Sequence, residues 1–158
     1  MTHERLVLNT GAEIPALGLG TWQSKPGQVA NAVLHALRSG YRHIDAAYCY
    51  GNEVEEGLDR SLQNLGLDYV NLYLVHWPVA LNPNGNDDKF PSLPSVKRDL
   101  YLQRSHTETW KDMEAVFAAR KAKAIGVANY SLSYLKELLT TAKIMPAVNQ
   151  MENHPLLP

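Results

Sequence analysis

The chain has 158 residues, 45% of them hydrophobic and 20% charged, with 15 basic against 16 acidic side chains for a net charge of -1. That length and balance fit a single globular domain over residues 1–158 with a real core, and they exclude nucleic acid as the main partner, because phosphate binding calls for a basic face or stripe. The longest apolar run, "LYLVHWPVAL", is too short for a bilayer, "MTHERLVLNTG" is charged where an export signal would be apolar, and Cys49 is the only cysteine, so a reducing, cytoplasmic location without membrane attachment is expected.

"RLVLNTGAEIP" alternates about Asn9-Thr10-Gly11 and predicts a short hairpin. "ALGLGTW" (16–22) reads as a strand, and Pro26 and Gly27 then open a helix from about Gln28 to Arg38 that Gly40 closes. A second strand, "YRHIDAA" (41–47), follows. Val54, Leu58, Ser61, Leu62 and Leu65 share one face of a helix that Gly66 ends. "YVNLYLVHW" (69–77) is apolar almost throughout, as a strand buried on both faces should be. Residues 80–105, with "NPNGNDD", Pro83, Pro91 and Pro94, predict an irregular lid or binding loop. Ser105 and Glu108 form a capping box for a helix that turns Trp110, Met113, Val116 and Phe117 inward. "KAIGVANY" is a fourth strand, Ser131 caps the helix "LSYLKELLTTA", and "PAVNQMEN" is a fifth strand.

Strands and helices that take turns in this way imply an α/β fold with a parallel sheet. Thr21, Trp22, Asp45, His76, Trp77, Asn129 and Gln150 all fall near the C-terminal ends of the predicted strands, where catalytic groups of a (β/α) barrel collect. Gly18 and Gly20 suggest a dinucleotide fingerprint, but Gln23 stands where its third glycine belongs, so the glycines read instead as sites of close backbone approach. Singly, Asp45 reads as a cap, Tyr50 as a surface phenol and His76 as a hydrogen-bonded structural imidazole. Together they supply a carboxylate, a phenol and an imidazole, with Trp22 and Trp77 as apolar walls. No metal site is expected.

"LNTGAEIPALGLGTWQS", "GYRHIDAAYCYGNE", "LGLDYVNLYLVHWPVAL", "KAIGVANYS" and "PAVNQMENHPLLP" resemble, in order, the signatures of the aldo-keto reductases, and the loop region is most similar to fungal members related to glycerol and other polyol dehydrogenases. The resemblance implies an incomplete (β/α)8 TIM barrel, with about five parallel strands plus an N-terminal hairpin. It implies reduction of an aldehyde or ketone with NADPH, or the reverse oxidation of a polyol. By the same resemblance Asp45, Tyr50 and His76 are the catalytic set, with Tyr50 the general acid. Thr21, Trp22, Asp45, Asn129 and Gln150 would bind cofactor, and Trp22, Tyr50, His76 and Trp77 the substrate. Ala128 stands where the family usually has a serine.

A phenol titrates near about 10 and needs a neighbouring cation to work as an acid at neutral pH. In the family a lysine in a "SKLW"-like strand supplies it, between the tyrosine and the "HWP" histidine. No lysine occurs between Tyr50 and His76 in this chain. One helix and one strand are missing there, and the family's last two strands, which grip the adenosine phosphates, are not represented. Two readings stay open: a working reductase, or an inactive shortened form, pseudoenzyme or mis-spliced product. Weakened NADPH binding is expected, as is an open five-stranded sheet in which "GYRHIDAA" and "YVNLYLVHW" pair as parallel neighbours, with exposed edges that favour self-association.

Overall fold

The computed structural model describes residues 4–25, 27–47, 54–87 and 90–157. The chain divides into two compact units, Met1–Tyr48 and Cys49–Pro158.

In the first unit, β1 (Arg5–Val7) and β2 (Glu13–Pro15) form the antiparallel hairpin that the Asn-Thr-Gly turn predicts. β3 (Leu19–Gly20) pairs in parallel with β4 (Ile44–Asp45). Both strands are shorter than their sequence signals, and the chain beyond β3 turns at Gln23, whose φ is 59°. Gly18 does permit a close approach: a Cβ there would lie 2.9 Å from the His43 ring, which itself hydrogen-bonds the Pro15 carbonyl through Nδ1 at 2.9 Å. α1 (Gln28–Arg38) starts and stops where the sequence predicts.

In the second unit, β5 (Tyr73–Val75), β6 (Ile125–Ala128) and β7 (Asn149–Gln150) make a parallel sheet with β6 in the centre. α2 (Val54–Leu65) ends at Gly66, whose φ of +64° suits glycine and stops the helix. α3 (His106–Ala118) opens on the predicted capping box, with Glu108 N donating to Ser105 Oγ at 3.2 Å and Ser105 N donating to Glu108 Oε2 at 2.8 Å. Those bonds, backbone first and hydroxyl second, hold the Glu108 carboxyl below the usual carboxylate range. α4 (Leu132–Thr141) is capped by Ser131. Leu58 and Leu62 of α2, Trp110, Met113 and Val116 of α3, Ile125 and Val127 of β6, and Leu138 of α4 form one buried cluster, with Phe117 partly buried beside it.

Two expectations need correction. Among the described residues β4 and β5 belong to separate sheets, so the open five-stranded sheet does not form. The physical reason is that β5 takes β6 as its parallel partner, from Tyr73↔Ile125 to Val75↔Val127, and α2 buries Leu58 and Leu62 in the core of that sheet. The 80–105 loop is also less irregular than predicted. It folds back on itself through antiparallel bridges Leu81–Leu100 and Ser92–Arg98, its base is tied by Tyr101 N to the Ala80 carbonyl at 2.9 Å, and Pro91 is fully buried within it.

Tyr73, the first residue of β5, donates its hydroxyl to the Val54 carbonyl at the start of α2 at 3.0 Å. Burial, then the nearby Asp59 carboxylate, pushes its pKa up to about 12. Because the folded value lies above the ~10 of a free phenol, this contribution is complete below that pH and is lost between about 10 and 12, up to roughly 2–3 kcal/mol. In urea unfolding series, the stability advantage of the wild type over Tyr73→Phe should therefore shrink as pH rises through that window.

Candidate functional site

Seven of the eight predicted strand-end and site residues sit at strand ends or one or two residues beyond them, and the structure joins several of them. In the first unit, Thr21 follows β3 and donates both its backbone N–H (3.0 Å) and its hydroxyl (2.9 Å) to the carbonyl of Asp45, the last residue of β4. Thr21 thus fixes the end of the strand that carries Asp45. Trp22, next in sequence, is 83% exposed. Tyr50, the predicted general acid, lies outside the described residues.

In the second unit the ends of β5, β6 and β7 are stitched together. Asn129, one residue past β6, adopts a left-handed backbone at φ 59°. Its Nδ2 donates to the His76 carbonyl beyond β5 at 2.9 Å, and its N–H donates to the carbonyl of Gln150 in β7 at 3.0 Å. An amide carries two donors and an acceptor, so the bond to His76 does not exhaust this side chain. His76 is exposed rather than buried as the sequence suggests, and its ring lies 6.0 Å from that of Trp77, itself 54% exposed.

Sequence reading overlooks Asn149. From β7 its Nδ2 donates to the Tyr130 carbonyl at 2.9 Å while its Oδ1 accepts the Tyr130 N–H at 3.2 Å. The available signal is strand alternation: Asn149 and Gln150 project to opposite faces, so two adjacent amides cannot serve the same purpose. Tyr130 is 1% exposed, with its ring edge-on to His106 at 5.6 Å and to Tyr134 at 6.2 Å.

The chain matches the model of the Aldo/keto reductase family over residues 51–158. The chain belongs to the aldo/keto reductase family. It is 53% identical to a D-galacturonate reductase of Hypocrea jecorina, a match that covers 96% of this chain and 60% of that protein. It is 42% identical to a glycerol 2-dehydrogenase (NADP(+)) of Saccharomyces cerevisiae, over 97% of this chain and 61% of the relative. An aldose reductase structure from Schistosoma japonicum superposes with a TM-score of 0.87 at 33% identity, covering 96% of this chain and 61% of that one. The fold is therefore a partial (β/α) barrel of this family, and the chain spans about 60% of the length of these relatives. The match to the Hypocrea protein is 184 residues long, yet 96% of 158 residues is about 152, so about 32 positions of the relative have no counterpart here.

Two lysines come close to the sheet, Lys121 and Lys123. The Lys121 ammonium is held by Asp59 at 2.7 Å and Glu55 at 2.8 Å, and those hydrogen bonds, Asp59 first, raise its pKa. Lys123 stacks on the Tyr69 ring, 4.1 Å from its centroid. Their backbones bracket Val70 ahead of β5, at the amino-terminal side of the sheet and the opposite end of β6 from Asn129.

Burial, and then Tyr134, pushes the Tyr130 pKa up, and its hydroxyl has no hydrogen-bond partner among the described residues. A buried hydroxyl without a partner is a cost, on the order of 1–3 kcal/mol. Tyr130→Phe should therefore leave stability unchanged or raise it by about 1 kcal/mol, as read from the urea midpoint.

Proposed function

We propose that the chain, as one partial domain over residues 1–158, carries the nicotinamide-facing rim of an NADP-dependent carbonyl reductase but turns over aldehydes, ketones or polyols negligibly by itself. The observation that carries the first half is the stitched rim. Asn129 and Gln150 bring two carboxamides to adjoining strand ends, joined by the Asn129 N–H to Gln150 carbonyl bond. That donor and acceptor set fits a nicotinamide carboxamide, which itself needs one of each. By the family resemblance Thr21, Trp22 and Asp45 are also assigned to the cofactor, and the relative named glycerol 2-dehydrogenase (NADP(+)) supports the choice of nucleotide.

A bound NADPH supplies the hydride. The protein's own part is to orient the carbonyl, through His76 with Trp77 as its apolar neighbour, and to deliver a proton to the carbonyl oxygen from Tyr50; Trp22 is assigned to substrate by the family resemblance. Asp45 is assigned the bridge to a cation that sharpens that phenol. The second half of the proposal rests on the cation. No lysine lies between Tyr50 and His76, while Lys121 and Lys123 are engaged at the far end of β6. Loss of an electrostatic partner of this kind costs ~10²–10³-fold in rate.

NADPH oxidation with a reactive aromatic aldehyde should accordingly stay at least about 10²-fold below that of a full-length relative. Comparable turnover would sink the claim. Binding is expected to be weak, with little preference for NADPH over NADH, since the amides serve the nicotinamide end that both share. Titration by tryptophan fluorescence should give no sub-micromolar dissociation constant for either nucleotide.

We also propose self-association in a cytoplasmic setting. β5 and β7 are the outer strands of their sheet among the described residues, and unpaired strand edges recruit further strands. Sedimentation velocity should show dimers or larger species at micromolar concentration, and a monomer throughout would refute this.

A further inference from the structure

Asn129 occupies the left-handed region, where residues other than glycine and asparagine pay a steric penalty, and it is the pivot of the rim. Something must hold the chain on both sides of it. On one side Ala128 is locked in β6, buried at 1% exposure and paired to Gln150 in register. On the other side β7 has ended its ladder, and the next backbone group, Tyr130, meets a side chain. The Asn149 carboxamide takes the Tyr130 N–H and gives a hydrogen to the Tyr130 carbonyl, so it acts as one more rung of parallel strand after the strand itself has turned aside. The Tyr130 ring is held at the same time by His106 of α3 and Tyr134 of α4.

We propose that Asn149 is a positioning residue for the cofactor rim: by clamping Tyr130 it fixes the left-handed turn at Asn129, and with it the orientation of the Asn129 and Gln150 carboxamides. This rests on the reading that those two amides hold the nicotinamide. Asn149 itself touches no ligand. Its carboxamide is committed to the chain, with Nδ2 also 3.5 Å from the Met151 sulfur.

The test uses the intact chain, isotope-labelled for NMR, with wild type, Asn149→Ala and Asn149→Asp. NADPH is titrated, and exchange is followed at Tyr130 beside the core amides of Val116 and Leu138. The expected result for Asn149→Ala is amide exchange at Tyr130 at least about tenfold faster, roughly what loss of one good hydrogen bond allows, with Val116 and Leu138 within about twofold of the wild type. NADPH affinity should fall about five- to tenfold. A merely structural role would speed exchange at Tyr130, Val116 and Leu138 together, and that outcome overturns the proposal. So does unchanged protection at Tyr130, or faster exchange with NADPH affinity intact. Should Asn149→Ala not fold, Asn149→Asp, which keeps the acceptor for the Tyr130 N–H but loses the donor to the Tyr130 carbonyl, is read on affinity alone: weaker NADPH binding supports the proposal and unchanged binding overturns it. A wild type that gives no shift with NADPH removes the nicotinamide reading itself, a result distinct from variants that bind as the wild type does.

Discussion

The second unit depends on one strand with no exposed residue. Ile125, Gly126, Val127 and Ala128 of β6 are all buried, and both edges of the strand are paired. A strand in that position can contribute neither polar side chains nor loose backbone, since each buried N–H and C=O must find a partner. The core gathers around it, with Leu58 and Leu62 from one helix, Trp110, Met113 and Val116 from the next, and Leu138 from the last. Polar chemistry begins only where the strand ends, at Asn129, and it begins abruptly because the residues on both sides of Asn129 are 1% exposed. The rim owes its definition to the rigidity of what precedes it.

The first unit has no such anchor. Among its described residues only Leu8 and Ala36 are buried hydrophobics, while Leu34 and Leu37 of α1 stay exposed. A unit this small does not close a core alone. The division of the chain after Tyr48, the start of the family match at residue 51 and the direct run of "GNE" into "VEEGLDRSLQNLGLDY" fall within a few residues of one another. The Hypocrea relative carries about 32 positions within the matched span that have no counterpart here.

Local signals were legible in the sequence where one residue decides the geometry. Ser105 with Glu108 placed the start of α3, Ser131 that of α4, and Gly66 the end of α2. Strand lengths were not legible, because apolar runs such as "YVNLYLVHW" outlast the ladder that a neighbour can supply, and only Tyr73–Val75 finds one as a continuous strand. The separation of β4 from β5 was hidden for a different reason. The pattern of α2 tells which face is apolar but not which partner will cover it. Asn129 and Gln150 were visible as polar residues at strand ends, whereas Asn149 looked like an ordinary strand residue until its carboxamide was seen against Tyr130.

α3 also governs how β7 begins. Glu114 accepts the N–H groups of Lys143 and Ile144 at 2.7 and 3.0 Å, and Trp110 donates its indole N–H to the Ile144 carbonyl at 3.0 Å. The segment between α4 and β7 is therefore laid out by side chains of a helix some thirty residues earlier, and Ala147 N reaches the Ile125 carbonyl from that template. β7 has only two residues of its own, so its register against β6 leans on Trp110 and Glu114 of α3, and a change at either helix residue reaches Gln150 without touching the sheet.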